Sequence, residues 1–233
     1  MKQNANNNSK ASLKRKLFSF MRNSFLLLFL ISQSLSFSQQ LSSKKFIAST
    51  NNIEIDTKGL DEIVLETSEN DFITVFLDEE NSFAHHIITS EKNGILSIDF
   101  QPEIKQKEPV FRKFITERLN RASVKIKIPK NKNLTFLGEE VDIVSKSYQG
   151  NLSVFIEKGS LKFNSLKGNL QLRLYSGNVF LTASEGEINI DSSNGTIKVN
   201  NVLESNPYQK KLSNSLRNVT IISKKANIVL TSK

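Results

Sequence analysis

Between residues 150 and 195 of this 233-residue chain, glycine returns at 150, 159, 168, 177, 186 and 195, a constant interval of nine. The chain has only nine glycines, so two thirds of them hold this one phase. The units read GNLSVFIEK, GSLKFNSLK, GNLQLRLYS, GNVFLTASE, GEINIDSSN and GTIKVNN, each a glycine with apolar residues two and four positions later and then a polar turn. Alternation is the period of a half-buried strand, and one unit holds about five or six residues of strand and three or four of turn. Leu152, Val154, Leu161, Phe163, Leu170, Leu172, Val179, Leu181, Ile188, Ile190, Ile197 and Val199 therefore point one way, as the core of the repeat. The phase extends back to Ile143 and to Leu134 with Phe136, where the glycine is lost. Gly168 and Gly177 are expected to take the positive φ that a side chain resists.

Two architectures fit a nine-residue strand and turn: a parallel two-sheet solenoid with 18 residues per coil, or an antiparallel meander. The sixth position after each glycine reads Ile156, Ser165, Leu174, Ala183, Ser192 and Asn201. Ile156 would stack on Leu174 and Ser165 on Ala183 in an 18-residue coil, which favours the solenoid. A calcium-binding roll needs Gly-Gly-x-Gly-x-Asp in each unit, and no unit has it. Coils contact only their neighbours, so each end needs a cap. The expected fold is all-β, a single-chain two-sheet β-solenoid with irregular β caps. Residues 39–130 form irregular β and one cap, 131–203 the repeats, and 204–233 a C-terminal cap with strands Val219–Ser223 and Asn227–Thr231.

Upstream, Lys45–Thr50, Ile53–Ile55, Ile63–Thr67 and Phe72–Leu77 read as strands bounded by Asn, Asp, Gly and Ser. His85–Ser90 and Ile95–Phe100 flank Glu91-Lys92-Asn93-Gly94, and Asn-Gly tolerates positive φ at both turn positions, so these form a hairpin. Residues 101–121 break the rhythm. There Val110, Phe111, Phe114, Ile115 and Leu119 can line one side of a short helix, with Arg112, Lys113, Arg118 and Arg121 around it.

The first 38 residues hold Lys2, Lys10, Lys14, Arg15, Lys16 and Arg22 and no acid, then Phe25–Ile31, then small polar residues ending Ser36-Phe37-Ser38. That is the order of a secretory signal peptide, with cleavage expected between Ser38 and Gln39 and either Met1 or Met21 as initiator. A seven-residue apolar run is short of the about 20 a membrane span needs. Removing the leader lowers the formal charge from +9 to about +3, so no nucleic-acid reading rests on charge. The remaining charge is uneven. Residues 51–80 hold ten acids and one lysine, while 101–132 hold ten bases and three acids. These segments either neutralise one another near the cap or leave the basic one for an anionic partner. The absence of cysteine excludes disulfides, thiolate metal sites and a lipid anchor on cysteine.

The leader, the phrase Lys125-Ile126-Lys127-Ile128-Pro129 and the units Gly-Asn-Leu-x-Val and Gly-Asn-Val-x-Leu together resemble a family of exported bacterial proteins, grouped as adhesins with a β-helical domain of unknown function. The resemblance spans residues 45–233. It implies an exported, adhesin-like β-solenoid with no catalytic residues to carry over.

The residues themselves offer little chemistry. His85 and His86 are adjacent, so a regular strand sends them to opposite faces, away from one shared metal. No Gly-x-Ser-x-Gly elbow is present. Glu139, Glu140 and Asp142 are the densest acidic cluster near the repeats, with Glu185 and Glu187 flanking the Gly186 turn. Either group reads as solvated turns, or as the acid and base of a carbohydrate-active enzyme on a β-helix. Three tyrosines and no tryptophan leave few platforms for sugar rings.

The expected role is therefore a non-enzymatic binding or scaffolding protein of the periplasm, cell surface or exterior, needing no cofactor or metal. The alternatives are that enzyme, or an envelope-stress accessory protein acting through a protein partner. In an 18-residue coil the third position after alternate glycines stacks Lys162, Phe180 and Lys198 on one outer face. The ring either packs on lysine stems or joins the cations in contacting an anionic glycan or other envelope component. The opposite face carries Ser153, Gln171 and Asn189, with Phe155, Arg173 and Asp191 beyond, where Arg173 and Asp191 are expected to neutralise each other.

Overall fold

A computed structural model describes residues 40–79, 85–102, 121–164, 166–183, 185–212 and 216–232, all within one compact unit, Gln40–Lys233. The leader, the short helix expected near 110–119 and Ser165 lie outside the described residues.

Among the described residues every regular element is a strand. In chain order they are β1 (Gln40–Ile47), β2 (Asn52–Asp56), β3 (Leu60–Ser68), β4 (Phe72–Glu79), β5 (His85–Lys92), β6 (Ile95–Pro102), β7 (Ala122–Pro129) and β8 (Asn133–Glu140). There follow β9 (Asp142–Ser145), β10 (Asn151–Phe163), β11 (Leu170–Ala183), β12 (Glu187–Ser192), β13 (Ile197–Val199), β14 (Val202–Leu203), β15 (Tyr208–Lys211) and β16 (Asn218–Ser232). One hydrogen-bonded network joins all 16. The pairings resolve it into two faces. The first runs β5-β6-β2-β8-β10-β11-β16-β12-β15 and the second β1-β4-β7-β3-β9-β10-β11-β16-β13-β14.

β10, β11 and β16 belong to both faces because each turns a corner partway along. In β10 the buried side chains are Leu152, Val154 and Ile156 before Gly159, then Leu161 and Phe163 after it, a change of alternation phase across the glycine. In β11 the same change falls at Gly177. All twelve repeat positions read as core are buried, and both faces feed a single hydrophobic cluster. From β8 to β11 the described residues of the repeat pair in parallel and not as an antiparallel meander. β8, β10 and β11 pair in parallel, each residue opposite the one 18 further on, such as Leu152 with Leu134 and Leu170. Ile156 stands beside Leu174 as the spacing predicts.

The sheet is nonetheless mixed. Antiparallel strands close both ends: β5 on β6 and β1-β4 on β7 at one, β15 on β12 and β14 on β13 at the other. Asn93 and Gly94 take φ of 53° and 73° in the β5–β6 hairpin, the pair of left-handed residues that a two-residue turn requires.

The strands expected as a C-terminal cap form instead one interior strand. β16 pairs in parallel with β11 on one side and with β12 and β13 on the other, so it sits between two neighbouring repeat units. Its sequence permits this, for Arg217 and Ala226 are also nine apart and each precedes an Asn and an apolar alternation. Ala226 lies opposite Gly177, and Arg217 donates from Nε to the carbonyl of Gly168 at 2.9 Å.

An asparagine ladder runs along the first corner. Asn133 Nδ2 donates to Asn52 Oδ1 and Asn151 Nδ2 to Asn133 Oδ1, both at 2.9 Å. Asn151 Oδ1 then accepts from the backbone of Asn169, and Asn169 Oδ1 from that of Asn218. The Asn151 and Asn169 carbonyl oxygens thus each pair a backbone N–H of the adjoining strand segment, while Asn52, Asn133 and Asn151 stack amide on amide.

Candidate binding face

The outer surface of the second face is where the structure gathers cations and apolar groups. On its strands, buried residues alternate with outward ones, and the pairing registers decide which outward residues become neighbours. Lys162 stands opposite Phe180, as the 18-residue spacing predicts. Phe180 and Lys198, however, do not touch. The inserted β16 places Val229 between them, opposite Phe180 on one side and Lys198 on the other. With strands about 4.8 Å apart, the two lysines are three strands, or about 14 Å, from each other. Phe180 remains 43% exposed.

Polar residues flank this strip. Ser160, Asn178, Asn227 and Thr196 lie on one side, with Asn178 opposite both Ser160 and Asn227 and Thr196 Oγ1 donating to Asn227 Oδ1 at 2.9 Å. On the other lie Asn164, Thr182, Thr231 and Asn200, the last hydrogen-bonded to Ser232. None of the eight is charged. Among the described residues neither Lys162 nor Lys198 has an ion-pair partner.

The first face is arranged differently from expectation. Ile222 separates Arg173 from Asp191, so these two do not neutralise each other as neighbours. Arg173 lies over the ring of Phe155 instead, 5.9 Å from its centroid. Ser153, Gln171 and Asn189 form a neutral row there, joined by Thr220 of β16 between the last two.

The acidic cluster has structural work. Glu140 pairs with Lys158 at 3.1 Å, and Asp142 Oδ1 accepts the backbone N–H of Ser160 at 2.7 Å. Glu187 accepts from Asn189, and the negative charge of Glu185 partly offsets the burial that pulls the Arg217 guanidinium below its ordinary pKa. His85 is buried and His86 exposed, on opposite faces of β5. Tyr148 is fully buried, its hydroxyl donating to the Lys132 carbonyl at 2.8 Å, and burial pushes its pKa upward.

No protein-family model matches the sequence, and no curated protein matches it. Among solved structures, a protein of Clostridium sporogenes provisionally described as a cell adhesion protein is similar over 83% of this chain and 100% of its own, with a TM-score of 0.53 and 15% identity. Two provisionally described adhesins, from Bacteroides fragilis and Parabacteroides merdae, align over 84% of this chain at 14% and 17% identity, covering 98% and 80% of their own chains. Their TM-scores of 0.30 and 0.28 carry no argument. The TM-score of 0.53 shows an all-β fold shared with the first of these, and 15% identity leaves function to the residues.

Proposed function

We propose that this chain is an exported, non-enzymatic binding or scaffolding protein of the cell envelope, adhesin-like, built as a two-sheet β-solenoid whose second face meets an anionic surface polymer. The solenoid reading is supported by the 18-residue register through β8, β10 and β11, and by the glycine corners where β10 and β11 pass from one face to the other. The binding reading is carried by one observation. Lys162, Phe180, Val229 and Lys198 form an unbroken outward row with no acid among them, and the acid at its edge, Asp142, is engaged by the Ser160 N–H. Unpaired lysines attract anionic groups, and an exposed ring with a valine beside it offers an apolar surface to the C–H faces of a sugar. The enzyme reading is disfavoured by the carboxylates that would have to serve it, since Glu140 and Asp142 are engaged in holding the coils together.

Retention of the purified protein on immobilised alginate and hyaluronan, with neutral dextran as control, tests this reading. The K162Q/K198Q variant is expected to bind the acidic polymers several-fold more weakly and with a flatter salt dependence, at an unchanged melting temperature. Equal retention on dextran, or unchanged binding by the folded double variant, overturns it.

A further inference from the structure

The row does not end at Lys162. Val144 of β9 lies opposite Lys162, Val64 of β3 opposite Val144, Lys125 of β7 opposite Val64, and Phe76 of β4 opposite Lys125. At the other end Leu203 of β14 lies opposite Lys198. In spatial order the outward residues are Phe76, Lys125, Val64, Val144, Lys162, Phe180, Val229, Lys198 and Leu203. A lysine stands on every third strand, with two apolar side chains in each interval. The row is about 38 Å long, with charges about 14 Å apart.

We infer that this row is the track for one linear polysaccharide, laid across the strands, that carries a carboxylate once per several sugar rings. The inference rests on the reading proposed above and names the kind of polymer and its path. Three observations point to sparse charge. The first is the lysine interval, which matches one charge per oligosaccharide repeat better than one on every ring. The second is the flank of the row between Lys125 and Lys162, where Glu62 and Asp142 stand opposite each other and would repel a chain charged along its whole length. The third is how β7 uses its cations. Lys127 is 3.9 Å from Glu66, whereas Lys125, on the row, has no ion-pair partner among the described residues. The row is one residue wide and bordered between Lys162 and Lys198 by amides and hydroxyls. A narrow apolar line between hydrogen-bonding groups fits a hydroxylated chain, while a lipid surface calls for a broad apolar face.

Graded hyaluronan oligosaccharides, which carry one carboxylate per two rings, and alginate oligosaccharides, which carry one on every ring, are titrated by calorimetry against the full chain and against K125Q, K127Q and K162Q/K198Q. Affinity for hyaluronan is expected to rise several-fold as the oligosaccharide grows long enough to reach from Lys198 past Lys162 to Lys125. K125Q should remove that gain while leaving short oligosaccharides unaffected, and K127Q should change neither. Per carboxylate, alginate should bind more weakly than hyaluronan. If K162Q/K198Q weakens binding but K125Q does not, or if alginate binds better, the long sparse-charge track is overturned while the shorter strip stands. If neither glycan binds, both readings fall. Binding to phosphatidylglycerol vesicles through these lysines without glycan binding assigns the face to lipid and also overturns the inference.

Discussion

Gly177 and Gly94 show why one glycine is not interchangeable with another. Gly177 has φ of 137°, and a Cβ there would collide with the Gly159 carbonyl of the neighbouring strand β10. Gly94, at φ 73°, has nothing within 4 Å of where its Cβ would be. Gly177→Ala is therefore expected to cost about 2 to 3 kcal/mol or more and Gly94→Ala about 1, read from urea melts. Equal losses would remove the corner argument. Gly168 departs from the sequence expectation, for its φ is not positive. It is held to glycine by the Gly150 carbonyl below it, a close approach that alternation alone does not reveal. Tyr148 makes a second test at this scale. Its neutral form is favoured by burial, so the stability it contributes is complete below the ordinary tyrosine pKa of about 10 and declines as pH rises above it. Between pH 8 and 11 the wild type should lose stability more steeply than Tyr148→Phe, which itself starts about 1 kcal/mol lower because the Lys132 carbonyl loses one of its two donors and keeps the Asn151 N–H. Parallel curves would show that the phenol is not held neutral.

At the scale of the element, the position of β16 decides the most. In sequence, Gly186 and Gly195 continue the phase of Gly168 and Gly177, and nothing between them announces that another strand will enter. In space, β16 makes parallel pairs on both sides and widens the gap between Phe180 and Lys198 by one strand. Because the chain has no cysteine, engineered pairs report this order cleanly. Asn178→Cys with Asn227→Cys should form a disulfide under mild oxidation, since facing residues on adjacent strands lie within the about 7 Å that a disulfide can bridge. Asn178→Cys with Thr196→Cys should stay reduced, being two strands apart. The reverse pattern would mean that the repeats stack in sequence order. The asparagine ladder was half legible. Asn133, Asn151 and Asn169 are 18 apart and their stacking follows from the repeat, but Asn52 and Asn218 join from distant parts of the chain.

At the scale of the whole molecule, part of the uneven charge is met among the described residues. The basic β7 lies between the acidic β3 and β4, with Arg121 3.2 Å from Asp61 and Lys127 and Lys146 on either side of Glu66. These pairs are partly exposed and each contributes up to about 1 kcal/mol, so stability comes mainly from the shared apolar interior. A stack in which each strand contacts chiefly its neighbours is least stable where a neighbour is missing. Hydrogen exchange should be slowest in β8, β10, β11 and the inserted β16 and fastest in β14 and β15. Fast exchange in β16 would show that it is a loosely held terminal segment.

Strand alternation, the glycine interval, the buried face of each repeat strand and the Asn-Gly hairpin are set by short stretches of chain, because local sterics and a two-residue period act on neighbours in sequence. That is why the core of residues 152–199 is readable from residue order alone. The order in which strands lie side by side is different in kind. β2 and β3 pair with β8 and β9 across about 80 residues, and β16 enters between β11 and β12, because hydrogen-bonding edges and apolar faces match wherever in the chain they occur. The lysine row is a product of that order. Its members come from nine strands spread from Val64 to Val229, so no motif announces it, and only the tertiary pairing brings a lysine to every third strand.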